Sequence, residues 1–212
     1  MHAWVVCFAD RSRPGASPDS YEYRKYLLGA ILDLLTLNAS EVAGIHLDYV
    51  RYGGFASNKW QRVSSFVREL IDRLASGAVL SVASKAEAYG SKAELLESAL
   101  FYGQNYEDLA KYVDLFCPMT YYLDYNVPPS LVGLAAKWVK EATGRAVFAG
   151  IQLHPSEHPS TKGREPGPRE VEGCLRSSAE GGADGVAFFR LSIVLAKWGK
   201  YAAVIRGFEL RP

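Results

Sequence analysis

Six short segments rich in β-branched and aromatic residues begin roughly 30–40 residues apart. Between them lie stretches whose apolar residues repeat at the helical period. Strand and helix alternating in this way predict an α/β protein with a parallel sheet. No G-x-G-x-x-G or G-x-x-x-x-G-K follows any of the segments, so the nucleotide-binding open sheet loses support. Polar residues gather near the C-terminal ends of the segments, where a barrel has its mouth. The predicted fold class is therefore α/β, (β/α) TIM-barrel-like, with six recognisable βα units where a full barrel has eight in about 250 residues. One domain over residues 1–212 is expected, because no linker or low-complexity tract divides the chain.

In chain order the predicted strands are residues 2–8, 44–52, 78–83, 113–122, 146–153 and 185–191. The first helix, 21–37, follows a Pro18-Asp19-Ser20 start signal and places Leu27, Leu28, Ile31, Leu34 and Leu35 on one side. The second, 60–75, carries Val63, Phe66, Val67, Leu70, Ile71 and Leu74 at the spacing of one buried face. A third over 130–143 is closed by Gly144, and a fourth over 168–181 has Pro168 in its first turn. A weaker helix spans 195–206, and the Pro/Gly-rich residues 154–168 form a long loop after the fifth strand.

With 24 Lys+Arg against 23 Asp+Glu, bulk charge gives no handle for nucleic acid or an anionic membrane. Hydrophobic residues at 49% and charged residues at 22% fit a packed globular protein. No apolar run approaches the roughly 18–20 residues of a membrane span. The N-terminus lacks a basic region and meets a charge at Asp10, so no signal peptide is expected and the localisation read is cytoplasmic. Cys7, Cys117 and Cys174 lie far apart and read as buried thiols. His2, His46, His154 and His158 lack metal-site spacing, and no metal or other cofactor is expected.

Residues 44–52, Gly-Ile-His-Leu-Asp-Tyr-Val-Arg-Tyr, carry the strongest local signal. Period two sets His46 and Asp48 on one face and Ile45, Leu47 and Tyr49 on the other. In a barrel the aliphatic face meets the helices, so His46 and Asp48 point inward, where ionisable groups need partners or a function. The structural alternative is a buried Asp–Arg pair closed by Arg51 or Arg190. The third strand puts Lys85 and Glu87 in one phase at the mouth. Residues 117–125 end the fourth strand with Tyr121, Tyr122, Tyr125 and Asp124, flat rings and hydroxyls suited to sugars. Trp4, Gln152, His154 and Arg190 complete a ring of polar and aromatic groups at strand ends.

These residues resemble a known group. Residues 44–52 are similar to the fourth-strand motif of the glycoside-hydrolase-like TIM barrels. Residues 102–106, 112–114 and 118–122 look like that group's lead into its sixth strand, 183–189 like its eighth, and 2–5 like its third. A more distant likeness runs to the family 18 chitinases, whose fourth strand reads Asp-Gly-Ile-Asp-Leu-Asp-Trp-Glu. Laid on that motif, His46 and Val50 replace an aspartate and the catalytic glutamate, while Asp48 is retained. The resemblance thus implies shared ancestry without a chitinase mechanism. It also implies that the first two βα units are missing, leaving a truncated or open barrel. An open edge invites a homo-oligomer that covers it.

The expected function is a glycoside hydrolase acting on a poly- or oligosaccharide, with Asp48 as nucleophile or base. Glu87 is the preferred acid and Asp124 the second choice. Arg51 and Arg190 would orient Asp48, and Trp4, Tyr49, Tyr121 and Tyr122 would line the sugar path. His46, Lys85, Gln152 and His154 join the substrate-binding set. The alternatives are a barrel that binds a carbohydrate or other small ligand without cleaving it, and an inactive truncated barrel.

Overall fold

A computed structural model describes residues 2–9, 12–13, 15–37, 42–74, 77–87 and 90–208. The strands are β1 (His2–Val6), β2 (Gly44–Asp48), β3 (Val79–Lys85), β4 (Leu115–Met119), β5 (Ala146–Gln152) and β6 (Gly185–Phe189). The helices are α1 (Tyr21–Leu37), α2 (Trp60–Ile71), α3 (Lys92–Phe101), α4 (Tyr106–Leu109), α5 (Ser130–Thr143), α6 (Pro168–Glu180), α7 (Leu191–Ala196) and α8 (Trp198–Arg206). The hydrogen-bonded strand order is the sequence order, and the pairs β1–β2, β2–β3 and β5–β6 are parallel. The fold is α/β and TIM-barrel-like, an incomplete barrel of six strands alternating with helices. No described helix is long and apolar enough to cross a membrane.

The residues fall into two compact units, Met1–Ser84 with Leu96–Phe116, and Lys85–Leu95 with Cys117–Pro212. In the first, Ile45, Leu47, Leu80 and Val82 are fully buried, as are Val63, Phe66, Val67 and Leu70 of α2. In the second, Val147, Ala149 and Ile151 of β5 are buried along with the inward residues of α5 and α6. Each unit uses the same device to set strand register. Asp114, just before β4, accepts from Leu80 N at 2.9 Å and its own N–H donates to Leu80 O at 2.9 Å. Asp184, just before β6, does the same with Val147, at 2.9 and 2.8 Å. An aspartate there satisfies a strand-end N–H that the ladder leaves open.

Where the structure departs from the sequence reading, local causes are visible. The second strand was expected to run to Tyr52 and stops at Asp48, because Tyr49 takes a left-handed φ of 50°. The helix expected over 195–206 is two helices, α7 and α8, divided at Lys197, whose φ of −117° is not helical. The second helix ends at Ile71, and the end expected for it at Ala75 lies outside the described residues. Helices α3 and α4 were not anticipated. Ser91 Oγ accepts from Glu94 N at 3.2 Å in the first turn of α3, and the Asn105 side chain accepts from Asp108 N at 3.0 Å to start α4. Gly144, at φ 63°, closes α5 in the left-handed cap its position suggested.

Candidate active site

In the first unit the site is built on the facing rows of β1, β2 and β3. Trp4 pairs in register with His46, Val6 with Asp48, and His46 with Ser81, so these side chains share one face of the sheet. Trp4 is 58% exposed and Asp48 is 8% exposed at the end of its strand. Asp48 Oδ1 accepts from Tyr49 N at 2.7 Å, a local bond that supports the left-handed turn of Tyr49. Cys7 N donates to Asp48 O at 2.8 Å and Phe8 N to Tyr49 O at 3.1 Å, fixing the turn from the segment that follows β1. A non-glycine residue held at positive φ beside a buried carboxylate is the kind of strain that collects at functional sites.

His46 is held by Ser81, whose Oγ lies 3.0 Å from His46 Nδ1 and 3.2 Å from Ile45 O. With the hydroxyl hydrogen on the Ile45 carbonyl, Ser81 accepts from Nδ1–H and leaves Nε2 as the basic nitrogen. His2 Nδ1 stands 3.5 Å from the same hydroxyl. Burial lowers the pKa of His46, the Asp48 charge raises it in part, and His2 adds to the lowering. The folded state therefore binds fewer protons at this ring than the unfolded chain, whose histidine titrates near about 6.5. Its contribution to stability is present above about pH 6.5 and is lost as pH falls through the lowered folded value. Melting curves of wild type and His46→Asn between about pH 7.5 and 5 test this. The wild type should lose stability the more steeply, and parallel curves would refute the assignment.

Arg51 does not close an ion pair with Asp48. The strand ends before it, and an odd offset of three residues already sets it on the face opposite Asp48. Its guanidinium lies 4.1 Å from the Tyr49 ring centre and 5.2 Å from that of Tyr102, and Nη1 donates to Tyr52 O at 3.1 Å. The orienting role expected of Arg51 is thus replaced by cation–π packing that braces Tyr49. Gln104, fully buried, donates Nε2 to Ala83 O at 3.2 Å and to Val50 O at 3.4 Å. It ties the segment after Asp48 to β3, a role nothing in its local sequence announced.

In the second unit Gln152 is the hub. Its Oε1 accepts from Leu123 N at 3.1 Å and Asp124 N at 3.3 Å, and its Nε2 donates to Asp124 Oδ1 at 3.0 Å. Glu157 N also donates to Asp124 Oδ1, at 2.9 Å, and His154 Nε2 faces Asp124 Oδ2 at 3.7 Å. The Tyr121 ring stacks on Phe189 at 5.7 Å and meets His154 edge-on at 5.2 Å. Sequence reasoning missed Phe189, although its place at the end of the sixth strand was the available signal. Lys85 pairs with Glu87 and stands 5.3 Å from the Tyr125 ring centre.

Two further expectations change. Tyr122, 2% exposed, is packed beside Leu123, Pro128 and Glu170 instead of offering a surface to a sugar, and burial raises its phenol pKa. It follows Tyr121 in the turn after β4, where the two rings take different surroundings. Arg190 is exposed before α7 and makes no ion pair among the described residues. All three cysteines are free, and burial pushes the Cys117 thiol up to about 12, far from a nucleophile. Among the described residues no cluster of three or more His, Cys, Asp or Glu is placed to hold a metal.

No family model matches the chain. No curated protein matches it in sequence. Solved structures do match. The spore cortex-lytic enzyme SleL of Bacillus cereus superposes with a TM-score of 0.68 at 13% identity, over 99% of this chain and 60% of that one. The PgaB (BpsB) glycoside hydrolase domain of Bordetella bronchiseptica gives 0.68 at 12% identity, over 100% and 76%. A fungal endo-β-N-acetylglucosaminidase of glycosyl hydrolase family 18 gives 0.58 at 17%, over 92% and 69%. The chain spans 60% of the length of SleL. What these likenesses show is the fold: this chain has a barrel architecture distantly like that of family 18 glycoside hydrolases.

Proposed function

We propose that the chain is a glycoside hydrolase acting on a poly- or oligosaccharide, with Asp48 as its nucleophile or base. One observation carries the reading: Trp4 stands exposed on a sheet face, in register with His46 and one row from Asp48. An indole left in water beside a strand-end carboxylate offers a sugar ring a stacking surface next to a reactive group. The superposed structures include a glycoside hydrolase domain and an endo-β-N-acetylglucosaminidase, which agrees with this reading. Cleavage also needs a proton donor. Glu87 and Asp124 are the two carboxyls the sequence offers for it, and each is tested by substitution with the amide.

A second reading, a carbohydrate-binding module without cleavage, is favoured by the partners of those carboxyls. Glu87 is paired with Lys85, and Asp124 is held by Gln152 and by Glu157 N. Product analysis and titration calorimetry on a panel of oligosaccharides, chitooligosaccharides among them, separate the two readings. Trp4→Ala should raise KM, or Kd where nothing is cleaved, about ten-fold with kcat little changed. A panel neither bound nor cleaved, or a Trp4→Ala protein with unaltered KM and Kd, would sink the proposal.

A further inference from the structure

A groove between α1 and α2 has the chemistry of an anion site. It has a volume of about 340 Å3, and Arg24, Lys25 and Arg73 contribute three cations to its lining against the one carboxylate of Glu69. Glu69 meets Arg73 at 3.9 Å across one turn, a weak exposed pair. Arg24 is the unusual member. It is 7% exposed, donates Nη1 to Pro18 O, has no hydrogen-bond partner for Nε, and makes no ion pair among the described residues. A guanidinium taken out of water without a counter-charge is unfavourable, and the deficit is relieved by an anion.

The groove floor supplies an independent observation. Gly29 sits inside α1, where glycine is less favourable than alanine by about 0.8–1 kcal/mol. A Cβ built there meets nothing within 4 Å, so no packing within the protein calls for the missing side chain. What the glycine does is leave the groove open between Leu28 and Leu32.

We infer that this groove binds a small molecule bearing an oxyanion, phosphate or carboxylate. The anionic group lies among Arg24, Lys25 and Arg73, and an apolar body rests over Gly29 between the two leucines. The full chain is titrated with inorganic phosphate, phenyl phosphate and benzoate at constant ionic strength, read by the NMR shifts of the Gly29 amide and the Arg24 Nε–H. Saturable shifts at both positions are expected, with phenyl phosphate tighter than phosphate. A response to benzoate alone assigns the carboxylate arm and a response to the phosphates alone the phosphate arm.

Gly29→Leu fills the groove and should weaken binding about ten-fold or more. Lys25→Gln and Arg73→Gln should each weaken it roughly three-fold. These three positions are exposed, so the variants keep the fold even where a change at buried Arg24 would not. Shifts that stay linear for all three probes and match those from chloride would overturn the inference, as would a Gly29→Leu protein that binds as well as wild type.

Discussion

Asp48→Asn lowers kcat for glycoside cleavage by on the order of a thousand-fold or more and leaves the melting temperature nearly unchanged. The substitution is chosen because the structure separates the two roles of this side chain. Its structural role is to accept from Tyr49 N at 2.7 Å, and an asparagine oxygen accepts the same bond. The bond from Cys7 N reaches the main-chain oxygen of residue 48 and does not depend on the side chain. What the amide lacks is the negative charge, which a nucleophile or base requires. The same change has a second readout that needs no substrate. The Asp48 charge raises the pKa of His46 against the effect of burial, so its removal should move the ring's NMR titration to lower pH. Retained kcat within two-fold of wild type would refute Asp48 as a catalytic residue, while the His46 titration checks their proximity separately.

The sheet was legible because its signals are local. Period-two runs such as residues 44–48, with Ile45 and Leu47 facing the core and His46 and Asp48 facing away, carry their own register. Helices α1 and α5 were readable to the residue, since each pairs a strong apolar face with a boundary signal in Pro18-Asp19-Ser20 or Gly144. The site was less legible for a different reason. Its partners are chosen by tertiary contacts, and alternation holds only while the strand does. One left-handed residue, Tyr49, ends β2, and beyond it Arg51 packs on two tyrosine rings. Gln104 and Gln152 have the same chemistry, and both are buried hubs. Only Gln152 was anticipated, because it stands at a strand end while Gln104 lies in a turn before a four-residue helix. Ser81 shows the same limit, since nothing in its own strand says that two histidines share its hydroxyl.

The largest stability effect is expected at Gly133, where two helices meet backbone to backbone. A Cβ built on Gly133 of α5 lies 1.9 Å from Ser177 O of α6, and one on Gly181 lies 2.1 Å from Gly133 O. The close approach is used. Gly133 N, among the first four N–H groups of its helix, donates to Ser177 Oγ at 2.9 Å, and that hydroxyl donates to Ser130 O at 2.8 Å. Alanine at 133 would force the helices apart by more than 1 Å and break both bonds. Against overpacking and two lost hydrogen bonds, the better helix propensity of alanine returns about 1 kcal/mol. The net loss is about 3 kcal/mol, or roughly 6–12 °C in Tm for a chain of this size. The same substitution at Gly29 meets open space and should stabilise by about 1 kcal/mol, since only the propensity term remains. Thermal unfolding of the two variants beside wild type decides the matter. Opposite signs are required, and a Gly133→Ala protein melting with wild type would mean that α5 and α6 do not cross at this distance.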